Sequence, residues 1–211
     1  MNMRKSTKVV LAGLTLAGAG ALLYRRFAGN MPCPSTLSFL LENPYFNRVA
    51  GPELLLDRAG VTVGMRVLDA GCGPGRVTIE AARRVGPTGE VVALDIQQAM
   101  LDKVQAKLAA GNISNVRLVH GGLGEGLVEE DSFDRAFLVT VLGEIPDKVR
   151  SLREIYVALK PGGILSVTEV LPDPDFQTPD AVSRLARETG FVEEKLIGGL
   201  PAFTMNLVKP I

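Results

Sequence analysis

Nine residues, Val67-Leu68-Asp69-Ala70-Gly71-Cys72-Gly73-Pro74-Gly75, constrain this chain more than any others. They read as a short apolar strand that runs into a glycine-rich turn. A helix follows at once, with Val77, Ala81, Ala82 and Val85 sharing one face at helical spacing. Glycine at alternate positions lets the backbone turn sharply and approach a ligand where a Cβ would collide. The N–H groups of the turn and the positive end of the helix then favour an anionic or polar ligand group. The stretch is expected to cradle a nucleotide-type cofactor, and the spacing bears on which one. A dinucleotide fingerprint places glycines at positions one, three and six. Here they stand at one, three and five, with Arg76 at six. A second strand, Glu90 to Leu94, ends in Asp95, about 20 residues beyond the turn, where a carboxylate can take both hydroxyls of a ribose.

The segment Asp69-Ala70-Gly71-Cys72-Gly73-Pro74-Gly75 resembles the first motif of the class I S-adenosylmethionine-dependent methyltransferases. Val91-Val92-Ala93-Leu94-Asp95 matches the second strand of that family, and Leu159-Lys160-Pro161-Gly162-Gly163 the turn before its fifth, so the likeness runs from about Gly64 to the C-terminus. It implies an α/β fold: a doubly wound, mostly parallel sheet of seven strands in the order 3-2-1-4-5-7-6, the last strand antiparallel. It also implies S-adenosylmethionine as cofactor. Asp69, Gly71, Cys72, Gly73, Pro74 and Gly75 would carry its methionine portion, with Thr140 near the amino end. Asp95 would hold the ribose, Ile96 would cover the adenine, and Gly122 and Leu123 would meet its edge. Members of the family often place an aspartate at the position of Gly122, to accept from the adenine amino group. This sequence departs from that pattern.

The rest of the chain fits the same architecture. Met100, Val104 and Leu108 give a helix stopped by Gly111-Asn112, and Val116 to His120 and Phe133 to Thr140 give two strands. Asp147 to Leu159 reads as a helix and Ile164 to Val170 as a strand. Thr178-Pro179 is a helix start, with threonine as cap and proline in the first turn, and that helix ends at Gly190. Phe191 to Ile197 and Phe203 to Val208 form a terminal hairpin.

The N-terminal end differs in character. Val9 to Tyr24 is an uncharged, mostly apolar run of 16 residues, between Arg4, Lys5 and Lys8 on one side and Arg25-Arg26 on the other. A short membrane anchor, a cleaved signal peptide and a buried helix all remain open for it. An anchor over residues 1–28 is the expectation carried forward, with the catalytic domain on the cytosolic side, where S-adenosylmethionine is made. Residues 29–63 are expected to form a linker and cap helices, and residues 64–211 the methyltransferase domain. In the cap, Tyr45 and Phe46 are candidates either to face the acceptor pocket or to staple the segment to the core.

Composition narrows the partners. Acidic and basic residues balance at 23 each, so no basic footprint for a nucleic acid stands out. Cys33 and Cys72 have no paired neighbour and His120 is the only histidine, which speaks against a protein-built metal site. Glu144, after the fourth strand, is the candidate general base. The activity expected is methyl transfer to a small, lipophilic acceptor at a membrane surface. A non-catalytic binder of the cofactor and a nicotinamide-dependent oxidoreductase are the alternatives.

Overall fold

The computed structural model describes residues 44–211. The hydrophobic run within residues 1–28, the linker and the expected helical piece at 37–41 lie outside the described residues. Two short helices come first, α1 (Pro44–Ala50) and α2 (Pro52–Arg58). Then strand and helix alternate: β1 (Arg66–Ala70), α3 (Arg76–Val85), β2 (Glu90–Asp95), α4 (Gln98–Gly111), β3 (Val116–His120) and β4 (Phe133–Val139). The chain closes with α5 (Lys148–Ala158), β5 (Leu159–Val170), α6 (Pro179–Thr189), β6 (Val192–Gly199) and β7 (Ala202–Val208).

The seven strands form one sheet in the order β3-β2-β1-β4-β5-β7-β6, parallel except where β7 runs against both β5 and β6. This is the expected order. The central strands are covered on both faces, which is why β2 reads as an unbroken apolar run rather than an alternating one. Successive side chains of β1 point to opposite faces. Leu68 and Ala70 join the core beneath α5 and α6, while Val67 joins that beneath α2 and α3. Leu55 and Leu56 of α2 are fully buried in the second core, so the segment before the sheet is part of the same packed body.

Local chemistry sets the helix ends. Thr178 Oγ1 accepts from Ala181 N at 3.3 Å, Pro179 opens α6, and Gly190 closes it in the left-handed region at φ 95°. Asp147 caps α5 by accepting from Arg150 N at 3.0 Å, so the helix starts one residue later than its sequence pattern suggested.

One expectation changes. The Pro161-Gly162-Gly163 segment is not a turn ahead of β5 but an irregular part of the strand itself. The register with β4 jumps from Phe133–Leu159 to Arg135–Ile164, which places three extra residues on β5. The chain's end holds them there: Gly162 N donates to Lys209 O at 2.8 Å, and Lys209 N to Gly163 O at 2.9 Å.

Candidate functional site

A cavity of about 380 Å³ opens beyond the C-terminal ends of β1, β2 and β4, the edge at which doubly wound sheets bind ligands. Of the residues singled out in the sequence, Gly71, Gly73, Asp95, Ile96, Gly122, Leu123, Thr140 and Glu144 line it. Asp69, Cys72, Pro74 and Gly75 do not, and they act on the turn instead.

The turn is fastened from within. Gly71 N and Cys72 N both donate to Leu94 O, at 2.8 and 3.0 Å, and Gly75 N donates to Cys72 O at 3.0 Å. Gly73 N donates to Asp95 Oδ2 at 2.8 Å, and Gln97 N takes Asp95 Oδ1 at 2.8 Å. The expectation of N–H groups left open for an anion is therefore corrected. These amides are satisfied inside the protein, as buried backbone donors must be. At the end of α3, Thr78 Oγ1 donates to Asp69 Oδ2 at 2.6 Å, which sets a carboxylate where an anionic ligand would otherwise bind. The cavity is lined by the carboxylates of Asp95, Glu125, Glu144 and Asp147, by the guanidinium of Arg150 and by apolar walls. Carboxylates outnumber the one basic side chain, so the site favours hydroxyl and amine donors over phosphates.

Two glycines show how the turn depends on a missing side chain. At Gly71 (φ 73°) a Cβ would stand 2.7 Å from both methyl carbons of Val141. At Gly73 (φ 52°) a Cβ would meet nothing within 4 Å, so its bare face borders open cavity. Behind them, Cys72 packs with Leu101 and Val104, and Lys107 Nζ donates to Pro74 O at 2.9 Å.

Burial sets the electrostatics. It pushes the Asp69 carboxyl up to about 6, against the opposing hydrogen bonds from Thr78. It also raises Asp95, opposed by the N–H groups of Gln97 and Gly73. The Cys72 thiol is pushed far up by burial and by the neighbouring carboxylates, so it is no nucleophile.

On the β4 side the wall is built differently. Thr140 sits at φ 55°, a strained conformation for a β-branched residue of the kind that gathers at functional sites. It is held there by Thr140 N donating to Thr168 O at 2.8 Å, while its hydroxyl donates to Val139 O at 2.7 Å. Lys148 Nζ donates to Gly143 O and Ile145 O, at 3.1 and 2.7 Å, and so clamps the loop that carries Glu144. Close by lies Glu169, 1% exposed. One oxygen accepts from Gln177 N at 3.2 Å, and the other has no partner. Burial pushes its carboxyl up to about 8, with the charges of Asp173 and Glu144 adding to the effect. Asp173 is itself raised to about 6, again by burial. Sequence reasoning passed over Glu169, although a lone acid inside an apolar strand is a legible signal.

Three other expectations find their places. His120 is exposed, its Nε2 3.0 Å from Ile96 O, and it does not line the cavity. Tyr45 and Phe46 do not line it either. They stack edge-to-face with centroids 5.8 Å apart, Tyr45 Oη donates to Leu171 O at 2.9 Å, and Phe46 packs on the core, which is the staple reading. Among the described residues no group of His, Cys, Asp or Glu is arranged to hold a metal ion.

A seven-stranded sheet in this order, with a donor-selecting cavity at the ends of β1, β2 and β4, defines the Rossmann-like class of nucleoside-cofactor proteins. Residues 62–194 match a methyltransferase-domain family, and the chain belongs to it. That family is described as a methyltransferase domain. A demethylmenaquinone methyltransferase of Staphylococcus aureus is 40% identical over 110 residues, 52% of this chain and 45% of that protein. The chain thus spans about half the length of the curated relatives it matches. A solved S-adenosylmethionine-dependent methyltransferase from Aquifex aeolicus superimposes with a TM-score of 0.77 at 21% identity, over 83% of this chain and 98% of that one. An arsenic(III) S-adenosylmethionine methyltransferase from Chlamydomonas reinhardtii gives 0.60 at 26% identity, over 72% and 65%.

Proposed function

We propose that this protein methylates a small, lipophilic, ring-bearing acceptor of the quinol type, and that it does so at a membrane surface. The observation that carries the reading is the β4 side of the cavity. Val139, Val141, Ile145 and Pro146 make it apolar, and Glu144 is the carboxylate set among them. The resemblance to a demethylmenaquinone methyltransferase points the same way.

The methyl donor of this reading is S-adenosylmethionine, and the residues present fit it as cosubstrate. Bare space at Gly73 suits the methionine chain, and Asp95, its carboxylate fixed by two N–H groups, has lone pairs left for the ribose hydroxyls. When bound, S-adenosylmethionine supplies a methyl group already activated on a sulfonium. The protein's own work is then alignment and exclusion of water. Ile96 covers the adenine ring, Gly122 and Leu123 border its edge, and Thr140 stands at the methionine amino end. Asp69 acts through α3 and the turn, not by touching the ligand. Glu144 accepts the acceptor's hydroxyl proton or orients that hydroxyl.

Membrane placement rests on the apolar run between basic flanks within residues 1–28, with the catalytic domain on the cytosolic side. Among the described residues, no helix is long and apolar enough to cross a membrane.

The experiment is a calorimetric titration of the full chain with S-adenosylmethionine and with NAD, followed by a methyl-transfer assay over reduced demethylated quinones, thiols and amines. Binding of S-adenosylmethionine alone and turnover on the quinols is the expected result. Binding without turnover on any acceptor would favour a regulatory binder. Full-length protein that leaves membranes in a salt and carbonate wash would remove the anchor.

A further inference from the structure

The hairpin that completes the sheet turns at the same edge as the cavity. β5 runs parallel to β4, its last residue Val170 pairs with Ala202, and the chain passes from β6 to β7 through Leu200 and Pro201. Leu171 N donates to Pro201 O at 2.8 Å, and Tyr45 Oη donates to Leu171 O at 2.9 Å. Three segments far apart in sequence, α1, the end of β5 and the hairpin tip, are thus tied into one surface. That surface adjoins the β4 side of the cavity. A Cβ added to Gly143 would collide with Asp175 O, so the loop after β5 rests directly on the loop of Glu144.

The surface is apolar and uncovered. Leu200 is 76% exposed, more than any other large apolar side chain among the described residues except the terminal Ile211. Tyr45 is 40% exposed although its hydroxyl is bonded to backbone, and Pro172 and Pro201 are exposed beside it. From Leu196 to Val208 the chain has no charged residue. Asp173 is turned to its own loop, where one carboxylate oxygen accepts from Asp175 N at 2.8 Å. Arg48, exposed, lies three residues beyond Tyr45 and so on the same side of α1.

A single exposed leucine is ordinary, whereas a contiguous apolar surface marks an interface. Two observations say what covers this one. The described fold begins at Pro44, next to Tyr45, and the apolar run Val9–Tyr24 lies upstream of that point, so a chain held in a bilayer by that run enters the domain at this corner. The side chains also suit the headgroup boundary: a leucine tip for the acyl chains, an amphipathic ring behind it, and a cation for lipid phosphates. We propose that the hairpin tip at Leu200 and Pro201, with Tyr45 and Pro172, docks on a lipid bilayer and sets the β4 side of the cavity against the membrane. The inference rests on the membrane placement of the proposed function and adds which face of the domain meets the lipid.

The chain has no tryptophan, so Leu200→Trp introduces a lone indole reporter. The full chain is mixed with vesicles of phosphatidylcholine and phosphatidylglycerol, plain or brominated in their acyl chains, and binding is followed by co-sedimentation. The indole should emit as a water-exposed one before lipid is added, then shift to the blue and be quenched by the brominated vesicles. Val63→Trp, at a residue 73% exposed on the opposite edge of the sheet, should show neither change. Leu200→Asp should lower kcat/KM on a vesicle-dissolved quinol by about 10-fold, the scale of one leucine's burial, and leave turnover of a water-soluble analogue unchanged. A chain that sediments with vesicles while its Leu200→Trp indole stays unquenched would overturn the docking surface and leave the membrane placement standing. An indole already blue-shifted without lipid would mean that a second copy of the chain covers the tip, and would overturn it too. A chain that stays in solution would overturn both.

Discussion

The two halves of the cavity are made of different materials. Under β1 and β2 the wall rests on backbone: glycines at set positions and amides tied to Leu94 O and to Asp95, a buried carboxylate that lines the cavity. Under β4 it is side chain: a strained Thr140, Val139, Val141 and Ile145, and Glu144 on a loop that Lys148 clamps. Backbone geometry tolerates little change, whereas side chains can be exchanged one at a time. A transferase needs this division, since it keeps one methyl donor and adapts to its own acceptor.

The sharpest way to break the comparison is Gly73→Val. The branched side chain would enter the open space at φ 52°, so S-adenosylmethionine affinity should fall more than 100-fold by calorimetry. Native affinity would mean that the donor half does not depend on a bare backbone. Glu144→Gln tests the other half. The expected loss is about 100-fold in kcat, the ordinary scale of general base catalysis, with cosubstrate affinity unchanged. Equal turnover would remove Glu144 from the chemistry.

Asp95→Ala should weaken cosubstrate binding by about 30-fold, the scale of a charged hydrogen-bond pair to the ribose. Its loss also frees Gly73 N and Gln97 N, so hydrogen exchange at those two amides should rise in the same variant. Unchanged affinity would take the ribose away from Asp95.

The smallest effect concerns stability. Glu169 is raised from its ordinary 4.5 to about 8 in the folded protein by burial. Below pH 4.5 both states hold the proton and the group imposes no penalty. Between pH 4.5 and about 8 the folded chain keeps a proton that the unfolded chain has released, so stability declines as pH rises. Glu169→Gln should flatten that decline in denaturant melts and gain roughly 2 kcal/mol at pH 8. A parallel pH profile in the variant would mean that the proton is held elsewhere, with Asp173, raised to about 6, the neighbour to examine next.

The same division explains what the sequence made legible. The strand, the glycine spacing and Asp95 lie within 29 consecutive residues, Val67–Asp95, and local backbone demands write themselves into residue identity there. The helix ends at Thr178, Pro179 and Gly190 were readable for the same reason. The use of the turn's amides was not, because their acceptors lie on β2, more than 20 residues on. Nor was the burial of Glu169, which depends on the loop carrying Gln177. The irregular start of β5 was misread as a turn because Pro-Gly-Gly has turn composition, and only Lys209, at the far end of the chain, keeps it in the sheet.

The internal fastening of the glycine turn bears on how ligand binding will look to solvent. Amides of Gly71, Cys72 and Gly73 already hold protein acceptors, so in deuterated water they should exchange slowly before any ligand arrives. A footprint taken by mass spectrometry will therefore be faint over residues 71–75, the segment most diagnostic of the family. The clear protection on adding S-adenosylmethionine should instead fall on residues 122–123 and 141–143, loop amides of the cavity wall that hold no such internal bond. Silence at the motif is, in this protein, the mark of a site built in advance.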